Sequence, residues 1–294
     1  MEKNINLRLW TKQVLRQYNL RAGQRKGQHF LVDGEVLFAI LKTAELTKQD
    51  KVLEVGGGIG VLTTALLDHC GLVVSVEVDK ILVAGLKKLI PISSHLKVLP
   101  FDILKIFDDQ LLRELNLKPG EQFSIVSNLP YDISGIFLRR FLSTSLPIKQ
   151  LVLLLQKEVA ERLTAPPGSL SLIGILAQLE CRAGIIRQIS HTSFYPPPRV
   201  ESCLVKLVPY SLEEKQKKLV GVNKDWLWQL ARIGFSARRK QLKNNLLSAL
   251  SISPATLAAV FNRLQLNPKV RAQELTVEQW VELAKMLIPK NGKD

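Results

Sequence analysis

Cysteine is scarce in this chain. Its three cysteines, Cys70, Cys181 and Cys203, are spread over 294 residues without a C-x-x-C pair, which excludes a disulfide framework and a zinc site and leaves core thiols as the expectation. The four histidines, His29, His69, His95 and His191, are equally dispersed. None shows the H-x-x-x-H or H-x-E spacing that sets two ligands on one helix face, so no metal is expected. Long apolar runs are missing too: stretches such as Leu151–Leu155 fall far short of the ~20 residues a helix needs to span a bilayer, so no membrane is expected as a partner. Charges at Glu2, Lys3, Arg8, Lys12 and Arg16 break up the N-terminal stretch. A secretory signal is therefore not expected, and a cytoplasmic location is.

Acidic residues run short as well. Against 41 Lys and Arg stand 26 Asp and Glu, a formal charge of +15, and such an excess attracts polyanions. Two stretches hold most of it. Residues 1–30 carry seven basic side chains (Lys3, Arg8, Lys12, Arg16, Arg21, Arg25, Lys26) against one acid, and residues 224–245 carry six (Lys224, Arg232, Arg238, Arg239, Lys240, Lys243) against one. A merely solubilising surface does not need such clustering, whereas phosphate-backbone binding does. With 46% apolar and 23% charged residues, the rest of the composition is that of an ordinary globular protein and excludes the disordered and fibrous classes.

Beyond the basic arm, β-rich runs alternate with helical patterns, the mark of βαβ units on a parallel sheet. Strands are predicted at Lys51–Val55, Leu72–Val76, Leu96–Leu99, Gln122–Ser127 and Leu151–Leu155, with helices over Val61–Asp68 and from an Asp79 cap through Lys88. Val200–Val208 alternates and ends at Pro209 after the proline-rich Tyr195–Pro198, which predicts an edge strand. Glu213–Lys218 reads as a linker, and helical stripes with turn signals at Ser253-Pro254 and Asn267-Pro268 follow it. The expected domains are 1–208, α/β with the basic N-terminal arm, and 209–294, helical.

The strand Lys51–Val55 runs into Gly56-Gly-Gly-Ile-Gly60. At a strand-to-helix junction glycine lets the backbone approach a ligand, and the helix start offers unpaired N–H groups, so Gly56 and Gly58 are candidate contacts. A dinucleotide fingerprint would need glycine at position 61, where this chain has Val61, and NAD is disfavoured. Glu77 lies 21 residues after Gly56 at the end of the next strand, where a carboxylate accepts from ribose hydroxyls. Asp102 follows the third strand, placed to accept from an adenine amine. Singly, each acid reads as an ordinary cap; three consecutive strand ends supplying ligand-type residues read as one site.

Asn128-Leu-Pro-Tyr131 follows the fourth strand, at the sheet edge where open α/β folds bind ligands. An exocyclic adenine amine is a poor nucleophile because its lone pair is delocalised into the ring. The Asn128 amide oxygen and the Leu129 carbonyl can accept its N–H groups and localise that pair, Pro130 stiffens the turn, and Tyr131 can stack on the base. On these four residues alone, a proline-centred turn whose Asn caps the next helix fits equally well. Phe194, just before the proline loop, is a second candidate for stacking on an unstacked base, with a core role as its equal.

The motifs extend over nearly the whole chain: Gly27-Gln-His-Phe-Leu-Val-Asp33, Glu54-Val-Gly-Gly-Gly-Ile-Gly60, Glu77-Val-Asp79, Phe101-Asp102, Asn128-Leu-Pro-Tyr-Asp-Ile-Ser134, Gln156-Lys-Glu-Val-Ala-Glu-Arg-Leu163, Phe194-Tyr-Pro-Pro-Pro-Arg-Val200 and Phe235-Ser-Ala-Arg-Arg-Lys-Gln-Leu-Lys-Asn-Asn-Leu246. In that order and spacing the sequence resembles the ribosomal RNA adenine N6,N6-dimethyltransferases, which modify two adjacent adenosines near the 3′ end of small-subunit rRNA. The resemblance implies an α/β, Rossmann-like methyltransferase fold with a small helical C-terminal domain that helps to seat rRNA. It implies S-adenosylmethionine as methyl donor, contacted at His29, Leu31, Gly56, Gly58, Glu77, Asp102 and Asn128. Catalysis then falls to Asn128, Leu129, Pro130 and Tyr131, and RNA contacts to Phe194, Arg238, Arg239, Lys240 and Lys243. The small ribosomal subunit and its assembly particle are the implied partners of a monomeric enzyme.

Some positions depart from that pattern. His29 stands where the family often has Asn, Asp132 where it has Asn, and Ser169–Ile173 where a Tyr-Gly pair is usual. Gly57 replaces a usual Pro, which loosens the loop by about 0.5–1 kcal/mol of unfolded-state entropy. The alternatives are a large-subunit rRNA adenine methyltransferase conferring antibiotic resistance, an adenine-specific DNA methyltransferase, and a non-catalytic assembly or transcription factor on the same scaffold. The basic helical C-terminus speaks against the first, the lack of an added target-recognition domain against the second, and the retention of both pockets against the third.

Overall fold

Runs of valine, leucine and isoleucine with little polar alternation suit strands covered on both faces, which a parallel sheet flanked by helices requires. The computed structural model describes residues 6–18, 28–91 and 93–288. Helix α1 (Leu7–Gln17) is followed by β1 (Phe30–Leu31) and α2 (Gly34–Ala44). Strand and helix then alternate through β2 (Lys51–Val55), α3 (Val61–Leu67), β3 (Leu72–Val76), α4 (Lys80–Leu89), β4 (Leu96–Leu99), α5 (Asp108–Glu114), β5 (Phe123–Asn128), α6 (Ser134–Leu142) and β6 (Ile148–Gln156). After α7 (Lys157–Leu163) and α8 (Leu172–Glu180) come β7 (Cys181–Ile189), β8 (Phe194–Tyr195) and β9 (Ser202–Pro209). The chain continues in α9 (Leu212–Leu219), α10 (Lys224–Gly234), α11 (Leu242–Ala249), α12 (Pro254–Arg263) and α13 (Val277–Met286).

One sheet has seven strands in the order β4-β3-β2-β5-β6-β9-β7. From β4 through β6 neighbours pair in parallel, and β9 runs antiparallel to β6. Val52, Leu53, Val73, Val74, Ile125, Val126 and Leu151–Leu155 are fully buried along it. Strand order reverses between β2 and β5, so their carboxyl ends flank an open crevice. A separate two-stranded ladder pairs Phe30 with Tyr195 and Leu31 with Phe194.

The chain divides into two compact units, one holding the chain through Ala160 together with Ala183–Pro209, the other holding Glu161–Arg182 and the chain from Tyr210 onward. Relative to the expected 1–208 and 209–294, segment 161–182 thus lies with the second unit. That unit has its own core around Trp280, Leu230, Leu242 and Leu275.

Two expectations are corrected. The strand ending at Pro209 is not at the edge, because β7 pairs outside it; a proline that terminates a strand removes no interior ladder bond. The supposed linker Glu213–Lys218 is helix α9, closed by a capping box in which Ser211 Oγ accepts from Glu214 N at 3.2 Å and Glu214 Oε2 accepts from Ser211 N at 2.8 Å. In the basic arm, α1 carries Arg8, Lys12 and Arg16 and buries Leu7, Thr11, Val14 and Leu15; Lys3, Arg21, Arg25, Lys26 and Gly27 lie outside the described residues. All three cysteines are buried and none is in a disulfide, and burial pushes the Cys70 and Cys181 thiols up to about 11 and about 12. Among the described residues no helix is long and apolar enough to cross a membrane.

Candidate active site

The carboxyl ends of β2 and β5 are tied to one another. Ser127 Oγ donates to the Val55 carbonyl at 2.5 Å, one residue before Gly56 on one strand and Asn128 on the other. Gly56 then turns at φ +77°, and a Cβ there would meet Pro130 Cγ at 3.0 Å. Both the backbone angle and the contact demand glycine. The glycine loop and the Asn-Leu-Pro-Tyr turn therefore pack directly together.

They open on a cavity of about 570 Å³ lined by His29, Gly56, Gly58, Glu77, Asp102 and Asn128–Tyr131, among others. Glu77 is buried and accepts from Gly58 N at 3.1 Å and from Asp79 N at 2.9 Å. Burial raises its carboxyl above the usual range, against the pull of those N–H donors. The Val78 N–H bonds to it as well, so of the about four acceptor positions of a carboxylate roughly one remains for a hydroxyl donor. Asp102 Oδ1 accepts from Leu104 N at 3.0 Å, and its Oδ2 lies 3.9 Å from the exposed Lys105 Nζ. Among the described residues no cluster of three or more metal-ligating side chains occurs.

Asn128 ends β5, and its Nδ2 donates to the His29 carbonyl at 2.9 Å. That bond fixes the orientation of the amide and leaves Oδ1 as the group that can accept. Tyr131 is anchored by a 2.5 Å hydrogen bond between its hydroxyl and Ser202 Oγ, and burial raises its phenol above the ordinary value. Its ring lies 5.4 Å from the His29 ring.

Other expected residues lie elsewhere. Leu31, 3% exposed, belongs to the core and does not line the cavity. Phe194 is fully buried at the β8 ladder; a ring with no accessible face cannot receive a base, so of its two readings the core role is correct. Arg238, Arg239 and Lys240 are exposed in the turn between α10 and α11, and Lys243 is half-buried on α11. Buried Asn245 holds that turn by donating to the Gly234 and Ala237 carbonyls at 2.6 and 3.2 Å. None of the four basic residues has an acidic partner among the described residues.

The ribosomal RNA adenine dimethylase family model matches residues 19–288. The chain belongs to that family. A ribosomal RNA small subunit methyltransferase A from Dehalococcoides mccartyi is 35% identical over 272 residues, 92% of this chain and 90% of the relative. Another from Clostridium botulinum is 34% identical over 282 residues, 93% and 97% of the two chains. Among solved structures, a dimethyladenosine transferase from Plasmodium falciparum aligns with a TM-score of 0.68 at 26% identity, covering 87% of this chain and 96% of that one. The 23S rRNA methyltransferase ErmE shares the fold, at 22% identity and a TM-score of 0.65 over 88% and 99% of the two chains.

Within this ribosomal RNA adenine dimethylase, the departure at Gly57 has a local cause. A Cβ there would lie 2.2 Å from Ser75 Oγ, so the serine hydroxyl fills the space that a side chain would take. Two further residues that brace the site are not marked as such by the sequence. Glu54, fully enclosed, accepts from Thr63 Oγ1 at 2.6 Å and ties the end of β2 to α3; burial raises its carboxyl to about 7. It sits inside a quoted motif, yet a strand glutamate gives no sign of its enclosure. Ser202 carries no pattern signal, since its value is its reach to Tyr131.

Proposed function

We propose that this chain transfers methyl groups from S-adenosylmethionine to the N6 amines of two adjacent adenosines near the 3′ end of small-subunit rRNA, as a monomer in the cytoplasm acting on the subunit or its assembly particle. When bound, the donor supplies a methyl group activated on a sulfonium. The observation that carries the reading is the committed amide of Asn128: with Nδ2 held by the His29 carbonyl, Oδ1 is left to accept from an amine in the cavity that also holds Gly56, Glu77 and Asp102.

The donor set fits. Glu77 retains an acceptor position for a ribose hydroxyl, Asp102 Oδ2, only loosely paired with Lys105, can accept from an adenine amine, and the glycine loop gives main-chain approach at the start of α3. At the other end, Asn128 Oδ1 and the Leu129 carbonyl orient the target N–H groups, while Pro130 and Ser202 hold the turn and the Tyr131 ring that receives the base. Arg238, Arg239, Lys240 and Lys243 contact rRNA phosphates, and the second unit is the rRNA-binding part. Incubation with labelled donor and unmethylated small subunits, followed by mapping, is expected to place label on two neighbouring adenines. Label elsewhere, or none, overturns the reading.

A further inference from the structure

We propose that helix α1 is a second RNA-binding element, whose row Arg8, Lys12 and Arg16 holds phosphates of the RNA strand flanking the target adenine; this rests on the rRNA-methylation reading above. The row follows from helix geometry. Residues four apart stand nearly above one another, about 6 Å along the axis. Leu7, Thr11 and Leu15 form such a row and are buried, so the row one residue later runs along the helix flank, where Arg8 and Lys12 are half-buried and Arg16 is exposed. None of the three cations has an acidic partner among the described residues, and α1 itself carries no Asp or Glu. Two of them are held by neutral groups: Arg8 donates to the Thr192 carbonyl, and Lys12 Nζ lies 5.4 Å from the centre of the Tyr195 ring. Neither a carbonyl nor a ring face cancels a full charge. A cation already ordered in this way loses less freedom when it takes a phosphate.

The row leads to the target end of the cavity. Tyr195 pairs with Phe30, which lines that cavity, and is followed by Pro196, whose carbonyl oxygen lies 2.7 Å from His29 Nδ1. The His29 ring in turn lies against Tyr131, the ring proposed to receive the base. Helix α1, the Tyr195-Pro196 turn and the Asn-Leu-Pro-Tyr turn all belong to one compact unit. An adenine splayed into the cavity leaves its neighbours single-stranded, with one phosphate charge per nucleotide, and regularly spaced cations beside the entry suit such a backbone. An anionic bilayer is the other polyanion that a basic helix can meet. It requires an apolar face free to insert, whereas Leu7, Val14 and Leu15 of α1 are committed to the core.

The double variant Lys12→Gln/Arg16→Gln removes two charges and leaves Arg8 on its carbonyl. In filter-binding titrations with small-subunit rRNA its log–log salt slope is expected to flatten by about 1.4–1.8, two phosphate contacts at about 0.7–0.9 each, with melting temperature and S-adenosylhomocysteine affinity retained. Gln13, exposed between Lys12 and Arg16, gives a direct probe that leaves the row intact. Gln13→Cys can be labelled selectively because Cys70, Cys181 and Cys203 are buried. A photo-crosslinker attached there is expected to join rRNA within a few nucleotides of the methylated adenines. An unchanged slope overturns the proposal. So does a crosslinker that joins only ribosomal protein, only distant rRNA or nothing, or a double variant that loses binding to phosphatidylglycerol vesicles and none to rRNA. A wild-type protein that labels no rRNA adenine refutes the function instead, and the salt slope then still decides whether α1 holds RNA.

Discussion

Asn128 illustrates how a single side chain acquires a role from what its other atoms are doing. With Nδ2 bonded to the His29 carbonyl, Asn128→Ala removes the aligned acceptor. Its methylation rate at saturating donor is expected to fall by about 10²-fold or more in single-turnover assays. Glu54 gives a pH prediction. Its carboxyl ionises at about 7 in the folded protein, against an ordinary 4.5, because burial disfavours the charge. At low pH both states are protonated. Between about 4.5 and 7 the unfolded chain ionises first, so stability declines by roughly 3 kcal/mol at most and then levels off. Glu54→Gln is expected to flatten that limb in denaturant titrations at successive pH values. At this scale the sequence was informative where a residue follows a strand: Glu77, Asp102 and Asn128 could be assigned to one edge. It was silent where value depends on enclosure, since nothing in the order of letters separates the buried Phe194 from an exposed ring, or marks Glu54 as enclosed.

Elements show the same division. Strands β2, β3 and β4 are legible to the residue, and β3 shows why: a run such as Leu72–Val76, buried throughout, has no other stable use than a covered sheet. Strand β7 is not, because Arg182, Ile185, Ile186, Arg187 and Gln188 are all exposed on it and its period carries no apolar face; missing it made β9 look like an edge. Charge made α9 look like a linker, although Glu213 and Lys217, bonded at 2.6 Å one turn apart, support a helix. The junction of β2 with its loop yields a test of packing. Gly57→Ala sets a methyl 2.2 Å from Ser75 Oγ, and is expected to destabilise the fold by about 1–3 kcal/mol. Ser75→Ala removes the clashing oxygen, so the double variant is expected to recover most of the loss. A strictly additive cycle in chemical denaturation would disprove the contact.

For the whole molecule, charge decides how the substrate arrives. An excess of +15 makes rRNA affinity steeply salt-dependent, the log–log slope changing by about 0.7–0.9 per phosphate neutralised. Replacing Arg238, Arg239 and Lys240 by alanine is expected to flatten the slope by about two to three, leaving S-adenosylhomocysteine affinity as it was; an unchanged slope in filter-binding titrations would remove that turn from the interface. Composition made this much legible. The membership of 161–182 in the second unit was not, since a helix that leaves one core and joins another looks the same in sequence as one that stays.

The meeting of Gly56 with Pro130 has a consequence for the order of events. A Cβ on Gly56 would meet Pro130 Cγ at 3.0 Å, so a shift of the glycine loop is expected to carry the Asn-Leu-Pro-Tyr turn with it. On the proposed reading, donor and base binding are then expected to be coupled. By reciprocity, whatever factor the donor adds to the affinity for the base, the base adds to the affinity for the donor.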